Sequence, residues 1–204
     1  ATISDPGEYP VGCAVDPTTG NLAVTNIYTT VGAHGDLAIY TRASSAPKRY
    51  TDSNFLYYYF CGYDPKGDLF LDGSNNDGAF QFAKLPAGSS TFAAITLDKT
   101  VYFPGGVQWV GKDVAVGDQG YLDESLSAIY RIHLSGDYGT ILTTGYLTGA
   151  EDVSQFFIRG RRVVGPDLDL GFTGVWHYPL GGRAIKTING QGHPVGSAIS
   201  LSNE

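Results

Sequence analysis

The chain has 204 residues, of which 42% are hydrophobic and 16% are charged, and its formal net charge is -7. This length and apolar content exclude a disordered chain and suffice to bury a core in one domain or at most two. The acidic balance argues against nucleic acid and anionic membrane surfaces as partners, because both require clustered Lys and Arg. No apolar run approaches the roughly 18 residues of a spanning helix, so we also expect no membrane insertion.

Short strands and tight turns dominate the first half of the chain. Residues 12–26 read GCAVDPTTGNLAVTN, and residues 60–73 read FCGYDPKGDLFLDG. Each stretch contains an apolar run, Asp-Pro, a glycine turn and a second apolar run, which predicts two antiparallel strands joined by a tight turn. Two further apolar segments follow each hairpin, at 36–42 and 48–52 in the first unit and at 79–85 and 90–97 in the second.

The same order of four strands recurs twice more, over residues 107–147 and 153–190. The opening motif PVGCA at Pro10 returns as PVGSA at Pro194, which is 184 residues over four units, or 46 residues each. A four-stranded unit with a period of about 40–50 residues is typical of a β-propeller blade. We therefore predict one all-β propeller domain over residues 1–204. It has four full antiparallel blades, at about 9–55, 56–103, 104–150 and 151–191, and partial blade strands at both termini, the last within 192–204.

The two ends of the chain predict strands that lack neighbours. Residues 1–5 precede the first unit as an outer strand would, and residues 193–202 repeat the first strand of a blade. Unpaired strands are templates for another chain, so we expect assembly edges at Thr2, Ile3, Val195, Ala198 and Ile199. Four explanations remain open: a truncated larger propeller, a small ring with an abbreviated closing blade, misassigned strands, and strands supplied by another copy.

The stretch PVGCAVDPTTGNLAVTN resembles the repeat of NHL-type and SMP-30/gluconolactonase-like propellers. The resemblance extends to the second unit and to residues 194–200, and it implies a propeller fold. It implies no catalytic residues, because such propellers include lactonases, lyases and binding modules. SMP-30-like enzymes hold a metal with Glu, Asn and Asp. The resemblance therefore makes a calcium-dependent lactonase-like or lyase-like enzyme the alternative function.

Polar residues end the second strand of successive units. They are Asn26, Asp72, Asp118 and Asp167. Carboxylates gathered around one channel mouth could bind Ca²⁺, so the candidate metal ligands are Asp72, Asp118 and Asp167. The competing interpretation is that these side chains stabilise turns, in which case no cofactor is required.

Cys13 and Cys61 are the only cysteines, and they occupy matching positions in the first strands of adjacent units. Matching heights on converging strands predict a disulfide between blades, with two buried free thiols as the alternative. The chain contains no methionine and begins at Ala1, which a removed secretory signal would explain. We therefore expect a secreted protein, in which a disulfide is stable.

Sequence motifs for catalysis are absent. The four histidines show no metal-ligand spacing, and the chain has neither a Gly-x-Ser-x-Gly elbow nor a phosphate loop. We therefore expect a secreted, non-enzymatic scaffold that binds protein or assembles with itself, head to tail, as an oligomer or an extracellular filament.

Overall fold

The computed structural model describes residues 3, 5, 7–30, 34–44, 46–120 and 126–199. The only helical structure among these described residues is one 3₁₀ turn, Thr41–Ala43. No helix in this part of the chain is long and apolar enough to cross a membrane. The strands form four-stranded antiparallel blades, which confirms the predicted all-β propeller fold. The predicted edge residue Thr2 and the end of the predicted last strand, residues 200–202, lie outside the described residues.

The first two blades each form a separate sheet with strands in sequence order. Blade 1 consists of β1 (Glu8–Val15), β2 (Leu22–Thr29), β3 (Asp36–Tyr40) and β4 (Lys48–Tyr50). Blade 2 consists of β5 (Tyr57–Tyr63), β6 (Leu69–Ser74), β7 (Phe80–Leu85) and β8 (Ala93–Ala94), and the short β9 (Thr96–Leu97) follows it. The Asp-Pro hairpins predicted from the sequence are therefore the β1–β2 and β5–β6 pairs.

The last two blades belong to one continuous sheet. Blade 3 consists of β10 (Pro104–Val110), β11 (Asp113–Asp118), β12 (Ala128–Ser135) and β13 (Tyr138–Thr148). Blade 4 consists of β14 (Phe157–Arg159), β15 (Arg162–Asp167), β16 (Phe172–His177) and β17 (Gly181–Asn189). The outer strands β13 and β17 pair in parallel, and this pairing joins the two blades.

The chain divides into two compact units. One unit comprises Ala1–Leu97 with Ser135–Gly139 and contains blades 1 and 2. The other comprises Asp98–Leu134 with Thr140–Glu204 and contains most of blades 3 and 4. The assignment of residues 1–204 to one domain stays a prediction.

Blades 1 and 2 pack through their facing sheets. Ala23 and Leu37 of blade 1 and Leu71 of blade 2 are completely buried in this core. The first strands approach so closely that a Cβ atom at Gly12 would lie 2.7 Å from the carbonyl oxygen of Tyr59. A glycine is therefore required where β1 crosses β5.

Trp176 anchors the core between blades 3 and 4, where it is completely buried beside Leu147 and Ile158. Gln108 joins the first strands of these blades with two hydrogen bonds. Its Nε2 donates to the carbonyl oxygen of Ile158 at 2.9 Å, and its Oε1 accepts from the Ile158 N–H at 2.7 Å. The strands β10 and β14 therefore run side by side near the ends that lead into their hairpin turns.

The C-terminal segment differs from the predicted strand. Residues 193–199 form no strand, although they repeat the motif that opens β1. The Thr173 hydroxyl donates to Gln191 Oε1 at 2.6 Å, and the Ser197 hydroxyl donates to the carbonyl oxygen of Val164 at 3.2 Å. The segment thus crosses blade 4 through side-chain contacts. A strand requires a neighbour with which to share a backbone ladder, and the described residues provide none here.

Candidate functional site

A buried polar residue ends the second strand of each blade. Asn26, Asp72, Asp118 and Asp167 are each at most 2% exposed. Asp72 Oδ1 accepts a hydrogen bond from the Phe60 N–H at 2.8 Å. Asp167 Oδ2 accepts from the Glu151 N–H at 2.7 Å, and its Oδ1 accepts from the Leu170 N–H at 2.8 Å. The Asp72 carboxylate therefore binds the backbone of the first strand of its blade. The Asp167 carboxylate binds the backbone that precedes the first strand and the turn that follows the second strand.

Asp118 makes the largest number of these bonds. Its Oδ1 accepts from the N–H groups of Phe103 at 3.1 Å and Gly120 at 3.0 Å. Its Oδ2 accepts from the Tyr102 N–H at 3.0 Å and the Tyr130 hydroxyl at 3.1 Å. Both oxygens of this buried carboxylate are thus occupied by donors from the chain.

The described residues contain no group of three or more His, Cys, Asp or Glu side chains that could hold a metal ion. The structure instead gives the candidate ligands Asp118 and Asp167 hydrogen-bonding roles within their own unit, and Asp72 a similar role in the other unit. This agrees with the turn-stabilising interpretation. The calcium alternative stays a prediction.

We expect removal of divalent cations to leave the thermal stability unchanged, because backbone donors already occupy the buried carboxylates. Unfolding should be followed with and without EDTA, and the metal content of the purified protein should be measured. A stoichiometric ion, or a Tm that falls with EDTA and recovers with Ca²⁺, would contradict this expectation and favour the enzyme alternative.

Both cysteines are free thiols in the structure, with Cys13 exposed on β1 and Cys61 buried on β5. Burial raises the pKa of the Cys61 thiol, and the nearby Cys13 raises it further. The Cys13 thiol is thus near enough to Cys61 to influence its pKa. The predicted disulfide is not formed here and stays a prediction.

We predict that Cys13 and Cys61 form a disulfide in the purified protein. Protein denatured with iodoacetamide and no reductant should gain no carbamidomethyl group, and it should gain two after reduction. Two modified thiols without reductant would contradict the bridge. In the native reduced protein, Cys13 should react first because the Cys61 thiol is buried.

On the sheet face of blade 1 that points away from the core of its unit, the first strand β1 is exposed, whereas Ala38 and Tyr40 of β3 are completely buried. Val15 is 61% exposed, and Cys13 on the same face is also exposed. A groove of about 270 Å³ lies along β1. Its lining consists of Ile3, Asp5, Pro10, Val11, Gly12, Cys13, Leu22, Val24 and Tyr40. The predicted edge residue Ile3 therefore lies in a mainly apolar groove on this face.

A largely covered acidic cluster lies on the same sheet face, with its three carboxylate side chains 7–12% exposed. The Arg49 guanidinium contacts Asp5 at 2.5 Å, Asp36 at 2.6 Å and Glu8 at 3.2 Å. Three carboxylates share one guanidinium, which leaves a formal charge of -2 when all are ionised. Burial and the neighbouring Asp36 raise the pKa of Glu8, whose Oε2 has no hydrogen-bond partner among the described residues. Sequence reasoning missed this cluster, because the register of β3 and β4 brings Arg49 to it.

A second acidic group lies in blade 4, where burial and the carboxylates of Asp169 and Asp167 raise the pKa of Asp152 to about 6. Its Oδ1 is buried without a hydrogen-bond partner in the part of the chain that the structure describes. The folded protein therefore holds this proton to a higher pH than the unfolded chain does. As a result, the free energy of unfolding falls as the pH rises from about 4 to 6 and then levels off.

Replacing this carboxyl group by an amide, in Asp152→Asn, should stabilise the protein at neutral pH. We expect a gain of about 1 kcal/mol after allowance for solvent screening, or about 2–4 °C in Tm, with little difference from the parent near pH 4. Thermal unfolding at both pH values tests this, with the exposed Asp77→Asn as the control. An equal gain at acidic pH would contradict the electrostatic cause.

No family model and no curated protein matches the chain. The fold is similar to that of a chain in the crystal structure of a nidogen/laminin complex, with a TM-score of 0.58 and 12% sequence identity. The match covers 92% of this chain and 83% of that chain. At this identity the similarity shows the fold alone, and it supports the β-propeller. The relation to NHL-type and SMP-30-like propellers stays a resemblance of motifs.

Proposed function

We propose that this protein is a secreted, non-enzymatic propeller scaffold that binds protein and associates with further copies of itself. The observation that carries this proposal is the exposed first strand of blade 1, β1. The first strand β1 leaves five of its eight residues exposed, whereas none is exposed in β5 or β10 and two of three are exposed in the short β14. The exposed residues of β1 include Tyr9, Val11 and Val15, and exposed apolar surface of this kind marks a site for a partner.

The chemistry of this face suits a protein partner. The groove along β1 is mainly apolar. The exposed Tyr9 packs against the exposed Tyr28, with ring centroids 4.3 Å apart and the ring planes tilted by 34°. Exposed aromatic rings beside an apolar groove and a charged rim are typical of protein interfaces. The structure of similar fold also comes from a complex of two proteins, nidogen and laminin. Secretion is supported by the sequence alone.

Sedimentation velocity of the parent and of two variants tests self-association. Val15→Asp places a charge on the exposed strand β1 and should weaken association at least about tenfold. Leu142→Asp makes the same kind of change on the outer strand β13, where Leu142 is 51% exposed, and should have no effect. Deletion of residues 1–8 or 192–204 should also abolish association. A parent chain that remains monomeric, with all variants alike, would refute self-association.

A further inference from the structure

The sheet face of blade 4 that points away from its core carries basic side chains that lack a counter-ion. Arg159 pairs in register with Arg162, and Arg162 pairs with His177, so these three exposed side chains lie on one face of three adjacent strands. On the fourth strand, the exposed Lys186 pairs with Val175, which lies two residues before His177 and therefore on the same face. None of these four basic side chains has an ion-pair partner among the described residues.

We name Arg159, Arg162, His177 and Lys186 the basic row. It crosses four neighbouring strands, which lie about 4.8 Å apart, so it extends for about 14 Å. Like charges directly opposite each other destabilise a sheet, and Arg159 and Arg162 occupy such positions. The basic row therefore lowers the stability of the chain on its own. An anion bound there would offset this repulsion.

The equivalent place in blade 3 carries its own counter-ion. The second strand of blade 3 begins with the completely buried Asp113, which accepts a hydrogen bond from Arg131 Nε at 2.7 Å and contacts His133 Nδ1 at 2.9 Å. The second strand of blade 4 begins with Arg162, opposite His177. The two blades thus carry opposite charges at one equivalent position. Blade 3 pairs its basic side chains internally, whereas blade 4 presents them to solvent.

Carboxylates suit the chemistry of the basic row. The guanidinium groups of Arg159 and Arg162 each present N–H donors in a planar fork, which matches the two oxygens of a carboxylate. His177 and Lys186 add further N–H donors on the neighbouring strands. Several carboxylates in succession could therefore be bound side by side.

The length of the basic row favours a short acidic segment over a long polyanion. A segment with a few carboxylates fits within about 14 Å. A nucleic acid would continue beyond the row, over a chain whose formal net charge is -7. Because exposed charges are largely screened beyond about 8 Å at physiological ionic strength, a short segment is attracted by the row and is little repelled by the rest of the chain.

We propose that the basic row of blade 4 binds a short acidic segment of a partner protein through its carboxylates. The inference rests on the proposed function, in which the chain binds protein, and it adds the chemistry of that partner. The surface is distinct from β1, on which self-association depends. Because the basic side chains are exposed, each ion pair contributes little by itself, and binding weakens as ionic strength rises.

Fluorescence anisotropy of a labelled, short polyglutamate peptide tests the inference on the full chain. The parent should bind the peptide at low salt, and the affinity should fall as salt is added. Arg162→Glu reverses a charge within the row and should weaken binding at least about tenfold. Lys66→Glu makes the same change of charge at an exposed lysine in the β5–β6 turn, and it should bind as the parent does.

Further variants separate lost binding from lost folding. Arg162→Glu should raise Tm, because a carboxylate then replaces a cation opposite Arg159 and His177. Arg159→Glu makes the same change on β14 and should lose binding to a similar extent. Arg162→Lys retains the charge but not the planar fork, so its affinity should lie between those of the parent and Arg162→Glu.

The outcomes separate this inference from self-association. A parent that does not bind polyglutamate, or an Arg162→Glu variant that binds it equally well, overturns the inference. An oligonucleotide of equal charge that binds more tightly through Arg162 would assign the row to nucleic acid and also overturn it. Loss of self-association in Arg162→Glu would assign the row to a second copy, with the same consequence. A monomeric parent that binds polyglutamate through Arg162 refutes self-association and leaves this inference standing.

Discussion

Replacing Asp118 by alanine should lower the free energy of unfolding by about 4 kcal/mol. The carboxylate is 2% exposed and accepts four hydrogen bonds, three of them from backbone N–H groups. Truncation leaves these donors buried without acceptors, and each such donor costs about 1–3 kcal/mol before the structure relaxes. Chemical denaturation with the midpoint and slope fitted together measures the effect.

Two controls test whether this loss comes from the lost hydrogen-bond acceptors. Asp118→Asn retains one acceptor oxygen and should cost less than half as much as Asp118→Ala. The exposed Asp77→Ala should have an effect below about 0.5 kcal/mol. A loss of less than 1 kcal/mol for Asp118→Ala would contradict the role of this carboxylate. A loss that disappears in EDTA would instead indicate that a metal ion had been the ligand.

Gly12→Ala should destabilise the protein by about 3 kcal/mol, the second largest effect that we expect. The new Cβ atom would lie 2.7 Å from the Tyr59 carbonyl oxygen, 2.8 Å from the Thr25 hydroxyl and 2.9 Å from the Phe60 Cα. Two of these atoms belong to the backbone of β5, which cannot rotate away. Blades 1 and 2 must therefore separate, or β1 must shift.

Gly20→Ala is the control for this steric effect. Gly20 has a positive φ of 74°, but a Cβ atom there would meet nothing within 4 Å. Its replacement should cost only about 1 kcal/mol, from backbone strain. Equal losses for the two substitutions, measured by denaturation at one pH, would show that β1 and β5 do not approach as closely as described.

The hairpins were predictable because their signals are local. Asp16-Pro17 and Asp64-Pro65 set the turns, and Gly20 and Gly67 have the positive φ that the pattern indicates. The sequence also showed that a polar residue ends the second strand of each unit. One of its two interpretations was that these side chains stabilise turns, and Asp118 and Asp167 do accept hydrogen bonds from backbone N–H groups.

The clusters of charged side chains were not predicted, because they depend on the register between strands that are distant in sequence. Arg49 meets Asp5 only when β4 pairs with β3 and the chain before β1 lies beside them, which no spacing in the sequence shows. The row of Arg159, Arg162 and His177 had a local signal in RGRR, but its alignment depends on the β15–β16 register. The strands of a blade are apolar on both faces, so the sequence does not show which of their residues, such as those of β1, stay exposed.

Sedimentation equilibrium of the unmodified chain tests the head-to-tail scaffold most directly. The chain has a mass of 21.7 kDa. A scaffold whose copies associate head to tail predicts a weight-average mass that rises above this value with concentration. For an open chain of copies this rise has no limit at the dimer. A mass of 21.7 kDa at every concentration and ionic strength would contradict it.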